Sequence, residues 1–133
     1  TGSLRGRSNI LSRVRELIEG AEKEILICTS VSDFEDKSRV LLPVLEDLAR
    51  KNIKIKIALS GDIERFKKIN NKLSVKARHV DNHAKLFMAD KKEIVFMLTA
   101  DNAEEEIGVW LNSPFFTESI YSIVDLNLKN KVN

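Results

Sequence analysis

Three side chains near the middle of the sequence have the types and spacing to handle a phosphate ester. His83, Lys85 and Asp90 stand as H-x-K-x-x-x-x-D. On an extended chain the first two point the same way, because alternate residues share a face. An imidazole placed there can attack phosphorus or pass a proton, and an ammonium two residues on can neutralise phosphate oxygens. Asp90 could equally do no more than start a turn, which aspartate does well. His79, Asp81 and His83 also alternate, and two imidazoles with a carboxylate on one side suit zinc or another divalent ion. The plainer reading of these three is a solvated strand end with no metal and no cofactor, and that reading is the one adopted.

A third grouping points to an anion or small ligand. Ser60-Gly61-Asp62 follows an alternating apolar segment and opens a helix. Backbone N–H groups at a helix start can meet an anion, and α/β proteins bind ligands beyond the carboxyl ends of their strands. Asp33, just after the first apolar run, would line the same edge. The ligand-binding candidates are therefore Ser60, Gly61, Asp62, Asp33, His83 and Lys85.

The elements that must position these residues follow from periodicity. Ile10, Val14, Leu17, Ile18 and Ala21 recur at helical spacing, which predicts a helix over Ser8–Ala21 with Ser8 as its cap. Ile25–Cys28 lies in a short apolar run suited to a strand covered on both faces. Val31–Lys37 reads as a polar loop, followed by a helix over Ser38–Lys51 with Pro43 in its first turn. Ile53–Ser60 alternates as a strand, a short helix reaches Asn71, and a further strand covers Leu73–Val80. Lys85–Ala89 and Ile94–Thr99 form a hairpin across Asp90-Lys91-Lys92-Glu93. Asp101–Glu106 reads as a solvated acidic loop. Ile107–Ser113 is a strand, and its Trp110 belongs either to the core or to a dimer surface. Ser113-Pro114 opens a last helix that buries Phe116, Ile120, Ile123, Val124 and either Asn127 or Leu128.

The order α-β-α-β-α-β-β-β-β-α predicts a three-layer α/β/α domain around a mixed, mostly parallel sheet. Residues 1–8 read as a linker or cloning remnant and residues 9–130 as a single domain.

Composition bounds the function. With 133 residues, 43% hydrophobic and 32% charged, the chain can bury one core without staples and is not disordered. Its longest apolar runs are far short of the roughly 18–20 residues of a membrane helix. Cys28 is the single cysteine, which excludes a disulfide framework and a cysteine-based zinc site; in its apolar run it should be buried and inert. A net charge of +2 lacks the basic excess of a domain held on nucleic acid by its own surface.

The His83–Lys85–Asp90 spacing is similar to the signature of the phospholipase D superfamily. In that superfamily two such motifs meet, within one chain or across a dimer. Its enzymes continue, six residues after the aspartate, with G-S-x-N; here those positions fall on Met97, Leu98 and Ala100.

A wider stretch resembles the C-terminal domain of TrmB-type archaeal transcriptional regulators. It is carried by ARHVDNHAKLFMADKKEIVFML over 77–98 and by IGVWLNSPFFTESIYSIV over 107–124, and extends from about Ile10 to Leu128. The resemblance implies a phospholipase-D-like fold without an intact catalytic set. It implies a cytoplasmic, non-catalytic domain that senses an effector or dimerises, with DNA bound only through an N-terminal winged helix missing from this chain. A further β-rich sugar-binding subdomain of the wider family is also missing, so sugar binding is not carried over. The partners it implies are a second copy of the chain and a small-molecule effector, and no membrane. The alternative is a single-motif phosphodiesterase or nuclease whose dimer brings two His83 side chains together, with His83, Lys85 and Asp90 as its catalytic set.

Overall fold

Alternation along the strands sets the architecture. In the computed structural model, which describes residues 1–130, Ile25, Ile27, Ile57, Leu59 and Phe87 belong to one core, and Leu26, Cys28, Ala58, Leu86 and Met88 to another. The two cores are the two faces of one seven-stranded sheet. The elements run β1 (Gly2–Arg5), α1 (Arg7–Glu19), β2 (Glu24–Ser30), α2 (Val31–Arg50), β3 (Lys54–Ser60), α3 (Ile63–Lys72), β4 (Arg78–Val80), β5 (Leu86–Ala89), β6 (Glu93–Met97), β7 (Ile107–Asn112) and α4 (Pro114–Asn130). Helices α1, α2 and α3 cover the first face, and α4 covers the second. The expected three-layer α/β arrangement holds.

The sheet order is β1-β7-β6-β5-β2-β3-β4. Only β2–β3 and β3–β4 pair in parallel; β2–β5, β5–β6, β6–β7 and β1–β7 are antiparallel. The sheet is mixed as expected, but most of its pairings are antiparallel. Crossover helices dictate parallel strands only up to β4. The chain then returns to the free side of β2 and continues as hairpins.

Four local expectations are corrected. Thr1–Arg7 is not a free tail, since Gly2–Arg5 pair with Ile107–Trp110. Ser8 does not cap α1; Gly6, at φ 88°, makes the turn into it, and that positive φ suits glycine. Val31–Lys37 is not a loop, because α2 starts at Val31 and runs straight through it. The Ser30 hydroxyl caps α2 by accepting the Asp33 N–H at 2.9 Å, and Val31, Phe34, Lys37, Leu41, Leu45 and Leu48 make one buried stripe. A lysine within that stripe hid its period. Pro43 therefore lies mid-helix, on the exposed side, where water can serve the carbonyl it leaves free. Finally, the strand expected over Leu73–Val80 shrinks to Arg78–Val80; before it, Asn70 Oδ1 accepts the Ala77 N–H at 2.7 Å and fixes an irregular turn.

Trp110 sits under α1. Its Nε1 donates to Glu93 Oε2 at 2.6 Å, and the Arg13 guanidinium lies 4.6 Å from the ring centroid. On the other face, Ile123 is exposed rather than buried, and Tyr121 takes its expected place. Lys56 reaches from β3 to donate to Tyr121 Oη at 2.9 Å and to Asp125 at 2.7 Å. Asp125 first, then Tyr121, hold the Lys56 ammonium above its usual range despite its burial. No described helix is long and apolar enough to cross a membrane.

This polar tie predicts that Asp125→Asn weakens the seating of α4 by about 1–3 kcal/mol, the scale of a hydrogen bond to a charged group. Amide exchange should speed up along α4 and stay unchanged in β2, β3 and β5.

Candidate functional site at the carboxyl edge of the sheet

The parallel strands β2, β3 and β4 end at the same edge, with Ser30 and Ser60 as last residues of the first two. Strand β5 starts there, because it runs antiparallel to β2, and Lys85 immediately precedes it. The chain leaves β2 toward β3 on one side and comes back as β5 on the other. That reversal opens the crevice in which open α/β sheets bind ligands.

A charged network fills the crevice floor. Asp33, in the first turn of α2, is buried beneath it, and Thr29 Oγ1 donates to Asp33 Oδ2 at 2.6 Å. Lys37, one turn further along α2, donates to Asp33 Oδ1 in a short buried contact. Glu106 lies 3.8 Å from Lys37 Nζ. Lys85 Nζ is 3.9 Å from Asp33 Oδ1 and 2.8 Å from Asp101 Oδ1. Only 8% of the Lys85 side chain is exposed. Its ammonium is countered in charge, yet no acceptor sits in hydrogen-bonding geometry. Burial alone would raise the Asp101 carboxyl; Lys85 and Ser30 beside it, with the charges of Lys85 and Lys37, reverse this and hold it below its usual range.

Above this floor, His83 is exposed and shares a hollow of about 250 Å³ with Ser30, Ser60, Lys85, Asp101 and Asn102. A neighbouring hollow of about 500 Å³ is walled by Asp33, Asp36, Asp101, Glu104, Glu105 and Glu106, against Arg7 and Lys85. Ser60, Asp33, His83 and Lys85 thus lie at one edge. Gly61 and Asp62 stand beside it in other roles. Gly61, at φ 120°, turns the chain, and its carbonyl meets His79 Nε2 at 2.7 Å. The Asp62 carboxylate accepts the Arg65 N–H at 3.0 Å, so a side chain already takes the N-terminal position of α3.

Asp90 does not join His83 and Lys85. The four residues of β5 separate it from Lys85, five steps of extended chain or about 16 Å, and it sits at the opposite edge of the sheet. There its carboxylate accepts N–H groups of Glu22 at 3.0 Å, Lys23 at 2.8 Å and Glu24 at 2.9 Å. It pins the β5–β6 turn to the entry of β2. His79, Asp81 and His83 are not brought together as a ligand set: among the described residues no three His, Cys, Asp or Glu are grouped to hold a metal ion, and the His79 ring packs on Phe66 with centroids 5.2 Å apart. Cys28 is buried, and burial raises its thiol, outweighing the Asn82 contact.

The acidic loop was the feature that sequence reasoning missed. Asp101, Glu105 and Glu106 are engaged with Lys85, Arg5 and Lys37 rather than merely solvated. No signal in the sequence marked this loop, because Lys37 meets its first carboxylate in Asp33 of its own helix and Glu106 only adds to it.

Residues 3–122 match the family model described as transcriptional regulator TrmB, EBD N-terminal subdomain. The chain belongs to this family. No curated protein matches it. Among solved structures, TrmBL2, described as an archaeal chromatin protein with a novel mode of DNA binding, aligns with a TM-score of 0.69 at 20% identity, over 96% of this chain and 52% of that one. The TrmB domain therefore spans about half the length of TrmBL2. Nuc from Salmonella typhimurium, a phospholipase D family member, aligns at 0.68 with 15% identity, over 96% and 93% of the two chains. NucT from Helicobacter pylori aligns at 0.72 with 13% identity, over 99% of each. At these identities the likeness is one of fold.

Asp90 gives this TrmB domain a measurable acid dependence. Hydrogen bonds from Glu22, Glu24 and Lys23 hold its carboxyl below the usual range, against the burial that would raise it. A depressed folded-state pKa adds stability above the unfolded value of about 3.9, and that stability is lost as pH falls through the folded value. Asp90→Asn, which tolerates the φ of 56°, should cost about 1–3 kcal/mol in urea unfolding at pH 7. The gap from the parent should narrow as the pH drops below about 4.

Proposed function

We propose that this TrmB-family domain is the non-catalytic, effector-sensing and dimerising part of an archaeal transcriptional regulator. It would work in the cytoplasm, with DNA held by a winged helix outside this chain. The observation that carries this reading is the state of Lys85. A hydrolase needs that ammonium for phosphate oxygens, but here Asp101 and Asp33 already counter it. Six carboxylates in the adjoining wall oppose a phosphodiester backbone. The positions of G-S-x-N hold Met97, Leu98 and Ala100, which offer no side-chain donor to phosphate. We assign Ser60, Asp33, His83 and Lys85 to the effector, with Gly61 and Asp62 shaping the turn behind Ser60. Dimerisation is supported by Phe115, Ile123 and Leu126, which leave α4 with an exposed apolar side. Sensing then means that an effector binds two arrangements of the dimer unequally.

The test is hydrolysis of a generic phosphodiester and of plain DNA in EDTA, beside a His83→Ala control, with light scattering on the same samples. No turnover above the control, from a dimer, is expected. Turnover that disappears in His83→Ala would replace this reading with a phosphodiesterase acting through paired His83 side chains. A monomer at working concentration would remove dimerisation from it.

A further inference from the structure

The loop Leu98–Glu106 joins β6 to β7 and ties two places together. Its base is closed by the Leu98 N–H donating to Ile107 O at 2.8 Å and by the Ile107 N–H donating to Thr99 Oγ1 at 3.1 Å. Beyond that base its carboxylates reach outward. Asp101 meets Lys85 in the crevice. Glu105 meets Arg5 of β1 at 2.8 Å, and the Glu106 carbonyl accepts the Gly6 N–H at 2.9 Å. One short loop thus contacts both the candidate effector site and the junction between β1 and α1.

The two carboxylates beside Lys85 are not equivalent. Asp33 is enclosed, with 5% of its side chain exposed, whereas 42% of Asp101 is exposed. Asp101 can turn out to water once another anion answers Lys85, whereas Asp33 is enclosed. The Lys85 ammonium is more than nine-tenths buried and makes no directed hydrogen bond, so its donors are available to a better-placed acceptor. Ser30 and Ser60 line the same hollow. A position where the protein seats its own carboxylate fits a carboxylate from outside. The acidic wall disfavours chains of phosphates, which points to a single small carboxylate.

We infer that Asp101 is an internal ligand, holding the position that a small carboxylate-bearing effector takes, and that its displacement is passed to β1 through Glu105 and Glu106. This rests on the effector-sensing reading and adds to it the chemistry of the effector and the route out of the site. The site is competent only while Asp101 is away, so the apparent affinity is reduced by that fraction. Coupling to β1 is a differential contact: the Arg5 and Gly6 bonds belong to the loop with Asp101 seated.

Asp101→Ala leaves Lys85 facing a space of carboxylate size, and acetate is the probe, with chloride at equal ionic strength as control. Acetate titrations followed by the Ser30 and Lys85 amide signals should show at least about tenfold tighter binding to Asp101→Ala than to the parent. Acetate, and not chloride, should raise the Tm of the variant. Lys85→Met in either background should abolish the acetate response. Amides of β1 should exchange several-fold faster in Asp101→Ala. They should do so in Glu105→Gln too, and because that variant loses a bond of the seated loop, its acetate affinity should also rise above the parental value. Asp101→Asn, which keeps the side-chain shape, serves if the alanine variant does not fold. Equal acetate affinity in parent and variant overturns the internal ligand. Unchanged β1 exchange in Asp101→Ala overturns the route. Phosphodiester turnover lost in His83→Ala would sink the sensing reading whatever acetate does; failed acetate binding without turnover sinks this inference alone.

Discussion

Among the described residues the ammonium groups of Lys37 and Lys85 are the most deeply buried, and both must be neutralised where they are. An ion removed from water costs several kcal/mol unless partners restore what it lost. Asp33 answers most of that requirement. It is held by the Thr29 hydroxyl and by the first turn of α2, whose N-terminal dipole favours a carboxylate. Lys37 is bonded to it directly, and Lys85 leans toward it from the start of β5. Strand β2, helix α2 and strand β5 are thereby fixed to one another at one edge. The remaining positive charge is met by the acidic loop, which is why a loop that looks merely soluble packs down over the crevice.

That arrangement separates fold from chemistry. Nuc and NucT share this fold over nearly their whole length at 13–15% identity, and function on a shared fold resides in the site. Here the histidine and lysine of the motif stand side by side, but the lysine is occupied and the surrounding field is negative. Asp90 belongs to the framework, as a three-fold acceptor at the far edge. The same spacing therefore holds two functional candidates and one structural clamp.

Much of the architecture was legible because apolar residues recur with a clear period. Ile25 to Cys28 and Ile53 to Ser60 announce strands, and Ile10 to Ile18 announces a helix. The failures cluster where tertiary partners override local pattern. Gly2–Arg5 carries too little apolar content to read as a strand, and becomes one because β7 offers a free edge. Lys37 breaks the visible stripe of α2, and is tolerated because Asp33 precedes it by one turn. In the site, His83, Lys85, Ser60 and Asp33 could be named from position relative to strand ends. Asp101 could not, since its role depends on a loop closing back across the sheet.

The pairing of the first strand with the last has a consequence for how the chain assembles as it is made. Arg5 and Glu105 are 100 residues apart. At a synthesis rate of about 5–20 residues per second, roughly 5–20 s separate the appearance of β1 from that of its partner. Strands β2 and β3, joined by α2, can pair long before then. Until β7 emerges, β1 has no neighbour and the outer side of β6 stays uncovered. The loop over the crevice, which lies between β6 and β7, can settle only at the end. The nascent domain thus acquires its framework early and its closed charge network last.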